Sequence, residues 1–162
     1  MKNNLDDFIV KFDNNSTDRL IADWIWLIGN DKTPILVSAI GDLFLRDDKN
    51  NIFWLNVGEG KLNLVANGNE EFEGKLKDIV QVNEWFMIDL IEELKNSGQE
   101  LDERQVYSYK KLPVLGGDYS ADNFEVTDIE VHFCFTGQIH EQVKDLPPGT
   151  KIGNVNFSKS DS

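Results

Sequence analysis

The sequence predicts an α+β fold, in which a small antiparallel sheet (a meander of three to five strands) packs against helices. Three β-rich runs joined by short, turn-rich loops follow one another at 35–46, 52–57 and 61–65, and this spacing favours an antiparallel meander over βαβ units. Apolar residues recur at helical spacing on both sides of this block. The chain has 162 residues, 40% of them hydrophobic, which is enough for one core. We therefore expect a single domain over 1–157 and a frayed polar tail at 158–162.

The first third of the chain contains two helical patterns and the first strand. Apolar residues at helical spacing predict a helix over 5–12 and a second over 17–28. Three residues with capping oxygens stand at the start of the second helix: Asn15, Ser16 and Thr17. The run 35–46 is interpreted as one strand, in which Gly41 marks a bulge.

The centre of the chain is predicted to be helical. Two amphipathic stretches, 69–80 and 83–96, follow the meander, and Gly98 stands where a helix C-cap is expected. A strand is predicted next, at 105–109.

The last third allows two interpretations around 128–136. Alternating apolar residues favour a strand, whereas a strict i+4 recurrence favours a helix; the recurring residues are Val131, Phe135, Ile139 and Val143. We interpret the segment as a short strand at 124–126 and a helix over 128–144, with Thr127 as its cap. Three residues are expected to end this helix: Pro147, Pro148 and Gly149.

Composition excludes several classes of function. The formal net charge is −13, which argues against sequence-independent binding to nucleic acid or to an anionic membrane, because both require basic surface. The single cysteine, Cys134, cannot form an internal disulfide and is interpreted as a small buried hydrophobe. No secretory h-region and no run of about 18 apolar residues occurs, so a cytoplasmic location is expected.

No catalytic, metal or cofactor motif is present. His132 and His140 are eight residues apart, which puts them off the i, i+4 alignment that a helical zinc pair requires. The sequence lacks a nucleophile elbow and a phosphate-binding loop. Asp42, directly after Gly41, is expected to pin the bend through a side-chain hydrogen bond. We therefore predict no catalytic residue, no metal and no cofactor.

Acidic residues concentrate in two stretches, and this distribution is the most informative functional signal. Residues 84–103 hold seven carboxylates and 118–130 hold five more with no base. An ordinary solvated face would have the same composition. The functional alternative is an acidic surface complementary to a basic partner, which would speed association and be sensitive to salt. The candidate contact residues are Glu92, Glu93, Asp118, Asp122 and Glu125.

An ordered series of motifs adds a family resemblance over about 20–152. The motifs are Trp24-x-Trp26, the segments 40–44 and 53–56, Tyr107-x-Tyr109, the Pro113–Gly117 loop with Gly116, and 136–140. They resemble a bacterial domain family, formerly of unknown function, that also forms the C-terminal domain of the immunity protein paired with a type VI secretion DNase effector. Such immunity proteins carry an additional N-terminal domain, whereas only about twenty residues precede the match here. The resemblance brings no catalytic residues to carry over.

The resemblance implies a non-enzymatic, toxin-neutralising protein. It would bind and occlude a basic effector, such as a nuclease, through its acidic surface. Gly116 and Gly117 are interpreted as backbone positions that need positive φ or close approach. Two alternatives stay open. One is a small hydrolase or small-molecule-binding protein with a cleft near Asp42 and His140; the other is a housekeeping interaction module, for instance an edge-strand homodimer.

Overall fold

Five strands form the main sheet, and each pairs antiparallel with the next along the chain. The computed structural model describes residues 5–13 and 17–147. The strands are β1 (Ile9–Val10), β2 (Lys32–Ser38), β3 (Leu43–Asp47), β4 (Ile52–Asn56) and β5 (Lys61–Ala66). The predicted meander is confirmed, and β1 and β5 are its two edges.

A two-stranded sheet lies beside the main one. It pairs β6 (Gln105–Tyr109) with β7 (Phe124–Asp128). The backbone N–H of Tyr107 donates to the carbonyl of Ala39 (2.8 Å), so β6 is tied to the turn between β2 and β3.

Short helices surround the strands and complete the α+β domain. Their bounds are α1 (Thr17–Ile21), a 3₁₀ turn (Ala22–Trp24), α2 (Ile25–Ile28), α3 (Asn69–Lys75), α4 (Ile79–Phe86), α5 (Ile88–Asn96) and α6 (Ile129–Val143). The predicted fold class is confirmed.

Two predicted elements in the first third were wrong. The expected helix over 5–12 is a 3₁₀ turn (Leu5–Phe8) followed by β1, because the chain there pairs with β2 and buries Phe8 and Val10. The expected single strand over 35–46 is two strands joined by a tight turn at Gly41, and the irregularity in β2 falls instead between Pro34 and Leu36. Proline has no N–H for the ladder, so a strand distorts there.

Helix ends also differ from those predicted. The expected helices 69–80 and 83–96 form three helices, since Asp78 caps α4 through the N–H of Val80 and Met87 takes a left-handed conformation (φ +51°) between α4 and α5. The cap of α6 is Asp128, not Thr127, because the Asp128 carboxylate accepts from two N–H groups. Several predictions lie outside the described residues: the caps Asn15 and Ser16, the stop at Pro148 and Gly149, and the polar tail.

The core contains large aromatic side chains, and α6 contributes both apolar and polar side chains to it. Trp24, Trp54 and Trp85 are buried, as their positions on apolar stripes predict. The helix predicted from the i+4 recurrence is present, but Val131 and Phe135 of that stripe are exposed. The buried face of α6 instead carries polar side chains, among them His132, Thr136 and His140.

Candidate partner-binding surface

His132 joins α6 to the turn between β2 and β3. Its Nε2 lies 2.7 Å from the carbonyl oxygen of Gly41, and its Nδ1 lies 2.6 Å from Oγ of Ser108. Because a carbonyl only accepts, Nε2 carries the proton and Nδ1 accepts from the Ser108 hydroxyl. Gly41 has φ +84°, and a Cβ there would lie 2.3 Å from Nε2 of His132. The glycine is required both for the turn and for the close approach of the ring.

His140 and Asp42 hold the turn after β4 by its backbone. Nε2 of His140 donates to the carbonyl of Val57 (2.7 Å), and Oδ1 of Asp42 accepts from the N–H of Val57 (2.9 Å). Oδ2 of Asp42 accepts from Nε1 of Trp54 (3.2 Å). Both side chains are buried, and they bond to opposite ends of one residue, Asp42 to the N–H and His140 to the carbonyl of Val57. Their hydrogen bonds hold the fold together, and this geometry gives the hydrolase alternative no support.

Burial shifts the pKa of Asp42 and the pKa values of the two histidines in opposite directions. It raises the pKa of Asp42 from 3.8 to about 7, against the opposing effect of its two hydrogen bonds. It lowers the pKa of His132 from 6.5 to about 4, against the effect of its bond to Gly41, and it lowers the pKa of His140 for the same reason. The favoured buried forms are thus a neutral acid and neutral imidazoles.

Two variants should separate these opposing pH dependences. The raised pKa of Asp42 contributes stability that is present below pH 3.8 and is lost as the pH rises through about 7. The lowered pKa of His132 contributes stability that is present above pH 6.5 and is lost as the pH falls through about 4. Over its window, the shift of Asp42 corresponds to about 4 kcal/mol and that of His132 to about 3 kcal/mol. On acidification, we expect the unfolding free energy of wild type to rise relative to that of Asp42→Asn. Relative to that of His132→Gln, we expect it to fall.

Urea unfolding at closely spaced pH values measures both differences. Each difference compares two proteins at one pH, so titration of the many surface carboxylates common to both cancels. Parallel pH profiles for wild type and both variants would contradict the assignment of the two buried groups.

A rigid loop follows β6. The side chain of Asn123 accepts from the N–H of Lys111 (3.0 Å) and donates to the carbonyls of Lys111 (2.8 Å) and Asp118 (2.7 Å). The N–H of Gly117 donates to the carbonyl of Leu112 (3.0 Å). We call residues 110–123 the Asn123 loop. Its backbone is fixed from within, so binding would require little further ordering of the backbone.

Gly116 and Gly117 of this loop are each required to be glycine, for different reasons. Gly116 takes a left-handed conformation (φ +97°) at the end of the 3₁₀ turn that begins at Pro113. Gly117 has no positive φ, but a Cβ there would lie 1.7 Å from the carbonyl oxygen of Lys111. The loop closes on itself at Gly117, and only a residue without a side chain fits.

The candidate contact residues lie on three elements. Asp118 and Asp122 are exposed on the Asn123 loop, Glu125 is exposed on β7, and Glu93 is exposed on α5, where Glu92 is half-buried. The 3₁₀ turn that carries Asp122 packs against α5. The structure therefore brings the loop acids next to the helix that carries the two glutamates. The pKa of Asp118 is lowered by hydrogen bonds from the hydroxyl and N–H of Ser120, so this group is ionised and also fixes the loop.

Sequence reasoning did not single out the aromatic group beside these acids. Tyr119 is 43% exposed, its ring packs edge-on against Tyr109 (6.0 Å between centroids), and its hydroxyl lies 3.4 Å from Oε1 of Glu59. Val114 on the same loop is 41% exposed. Tyrosine is frequent among the side chains that dominate interface energetics. The conformation of the loop exposes Tyr119 beside Asp118, and a periodic sequence pattern does not predict that conformation.

A separate open cleft of about 770 Å³ lies at the β1 edge of the main sheet. The segment 7–13 forms one wall and 100–105 the other, with Ala39 and Lys95 between them. Three exposed carboxylates of the predicted acidic stretch line it: Glu100, Asp102 and Glu103.

The remaining chemistry-bearing groups form no cluster. Cys134, expected to be buried, is half-buried, and its sulfur accepts from Nε2 of Gln138 (3.2 Å). Burial, with Asp23 nearby, raises the pKa of its thiol, which opposes thiolate chemistry. Across 5–13 and 17–147, no group of three His, Cys, Asp or Glu side chains is arranged to hold a metal ion. None of the helices in these ranges has the length and apolarity needed to span a bilayer.

The structure is an α+β domain in which a loop fixed by Asn123 presents exposed acids and an exposed tyrosine. Residues 66–140 match the family model of the T6SS immunity protein Tdi1, C-terminal domain, which confirms the resemblance predicted from the sequence. The match supports an immunity-type protein.

The fold has a counterpart among solved structures. The crystal structure of Atu4351 from Agrobacterium tumefaciens is similar with a TM-score of 0.58 and 17% sequence identity, over 82% of this chain and 67% of that chain. At this identity the likeness shows the fold alone. No curated protein matches the sequence.

Proposed function

We propose that this chain is an immunity-type protein that neutralises a basic effector toxin, such as a nuclease, by covering its active cleft. The contact surface is acidic and includes Glu92, Glu93, Asp118, Asp122 and Glu125. The chain performs no bond-making step of its own, and it acts in the cytoplasm, where a nuclease would reach DNA.

The observation that supports this proposal best is the Asn123 loop. It lies within the matched residues 66–140, it is fixed by the hydrogen bonds of Asn123, and it carries acids that stay exposed. A nuclease must bind phosphates through basic residues. A rigid array of carboxylates presented to that cleft would compete with the nucleic acid for the same cations.

Tyr119 adds an apolar anchor to this charged surface. Exposed carboxylates contribute mainly to association rate and specificity, whereas a buried aromatic side chain contributes to the lifetime of a complex. Tyr119 is held from behind by Tyr109 and Glu59, so little conformational entropy would be lost when a partner covers it. Acids and aromatic together would give both fast association and slow dissociation.

The association rate with the effector should fall steeply as salt rises. Steering between opposite charges is screened beyond about 8 Å at physiological ionic strength, whereas the apolar contact of Tyr119 is not. Stopped-flow mixing with the protein encoded beside this chain's gene, over a series of salt concentrations, measures the rate. Circular dichroism over the same series serves as a control for the fold. An association rate independent of salt would contradict the steering role of the acids.

The outer edge of β5 is a candidate site for the homodimer alternative. Leu64 is 54% exposed there, and an open strand edge can pair with a second copy. Nζ of Lys75 already donates to the carbonyl of Val65 (2.6 Å), and this bond, with the charge of Lys61, shortens the edge available for pairing. The acidic surface is therefore the better supported interface.

A further inference from the structure

The open cleft lies along the outer edge of β1. The N–H of Ala39 donates to the carbonyl of Phe8, and Val10 lies opposite Val37 of β2. In an antiparallel pair, alternate residues direct their N–H and C=O groups toward the partner strand and away from it. Ile9 therefore directs both groups away from β2, and so does the N–H of Lys11, which is trans to the carbonyl of Val10; both residues line the cleft.

The facing wall of the cleft is acidic and rigid. Its exposed carboxylates are Glu100, Asp102 and Glu103, and no ion pair within the described ranges involves them. The wall is fixed at its base, because Oε1 of Gln105 accepts from the N–H of Asp102 (2.8 Å) and the carbonyl of Arg104 accepts from the N–H of Ile129 (2.9 Å).

The cations that line the cleft are largely engaged elsewhere. Arg104 pairs with Glu130 (3.6 Å), and Nζ of Lys95 donates to the carbonyl of Asp7 (3.0 Å). Lys11 remains as the exposed cation on the strand side. The cleft thus combines an open strand edge with an acidic wall.

We infer that this cleft binds an extended basic segment of a partner protein, which adds to β1 as a further strand and places lysine or arginine side chains against Glu100, Asp102 and Glu103. Backbone hydrogen bonds to Ile9 and Lys11 provide the affinity, and the acidic wall selects the charge. The inference rests on the proposed function in one respect, that the partner is a basic protein. It assigns the effector a second contact, at a surface distinct from the Asn123 loop.

A synthetic peptide tests the cleft without the effector. The probe is a fluorescent, end-blocked peptide of about eight residues in which lysine and valine alternate, since it is basic and favours an extended backbone. Two derivatives carry N-methyl groups on all valines or on all lysines. We expect the parent to bind in fluorescence anisotropy and to shift the NMR signals of 9–11 and 100–105, and at least one N-methylated derivative to lose binding.

The variants separate backbone pairing from charge. Lys11→Pro removes the N–H directed into the cleft and should weaken binding about tenfold or more. Lys11→Ala removes the same positive charge but keeps the N–H, so it should bind the basic peptide at least as well as wild type.

The acidic wall has its own matched pair of variants. The triple variant Glu100→Gln, Asp102→Asn, Glu103→Gln should weaken binding at low ionic strength about tenfold. The triple variant Glu73→Gln, Glu141→Gln, Asp145→Asn makes the same change in net charge on other elements and should have little effect.

Several results would overturn the inference. They are no binding of the parent peptide at about 1 mM, binding of both N-methylated derivatives as tight as that of the parent, and equal weakening by Lys11→Pro and Lys11→Ala. If the peptide does not bind but the chain still neutralises the effector, the cleft is not a binding site and the proposed function stands. Binding of the peptide with no binding of the effector would support the cleft and remove the proposed function.

Discussion

Reversing three exposed acids on the proposed surface should slow association with a basic effector about 100-fold at low ionic strength. The variant is Glu93→Lys, Asp122→Lys, Glu125→Lys. All three side chains are exposed, and they lie on α5, the Asn123 loop and β7. Asp118 is left in place because its carboxylate fixes the loop through Ser120. The measurement is the stopped-flow association rate with the effector.

The matched control for this reversal makes the same change in net charge elsewhere. Glu73→Lys, Glu141→Lys, Asp145→Lys places three lysines on α3 and at the end of α6, where the native side chains are also exposed. Since the overall charge of the two variants is equal, a difference between them reports the position of the acids. Equal slowing by both triples would mean that net charge, and not this surface, governs association.

Gly117→Ala should lower the free energy of unfolding by about 2–3 kcal/mol, the cost of forcing a methyl group into a closed backbone contact. The added Cβ would lie 1.7 Å from the carbonyl oxygen of Lys111 and 2.9 Å from Nδ2 of Asn123. The loop must open to accommodate it, which breaks the hydrogen bonds that Asn123 makes. We therefore also expect weaker effector binding in protein that is still folded.

Gly74→Ala is the control for this substitution. Gly74 lies in α3, it is exposed, and a Cβ there meets nothing within 4 Å. Alanine should raise the free energy of unfolding by about 0.5–1 kcal/mol, because it is a better helix former than glycine. Urea unfolding at one pH measures both variants, and a Gly117→Ala protein as stable as wild type would contradict the tight closure of the loop.

The meander and α6 could be predicted from the sequence because their signals are local. Strands β3, β4 and β5 are separated by turn residues, and the apolar spacing of α6 extends over four turns. The helix prediction for 5–12 was wrong because Phe8 and Val10 suit a strand or a helix equally. Pairing with Val37, far along the chain, decides between the two. Gly41 was assigned to a bulge because nothing near it in sequence reveals that His132 packs on it.

The candidate surface was predictable in its charge but not in its geometry. The acidic stretches can be read directly from composition, whereas their placement depends on the packing of the Asn123 loop against α5. Asn123 is the residue that fixes the loop, and its three hydrogen bonds reach back 12 and 5 residues. A single asparagine without a periodic context gives no signal of that role. The exposure of Tyr119 follows from the same loop.

The most direct measurement is inhibition of the cognate effector, which is to be sought in the reading frame next to this gene. The purified chain should form a stoichiometric complex with that effector in calorimetric titration and should stop its DNA cleavage at equimolar concentration. The Glu93→Lys, Asp122→Lys, Glu125→Lys variant should not stop DNA cleavage at the same concentration, whereas its matched control should stop cleavage as wild type does. Undiminished cleavage in the presence of excess wild-type chain would contradict the account.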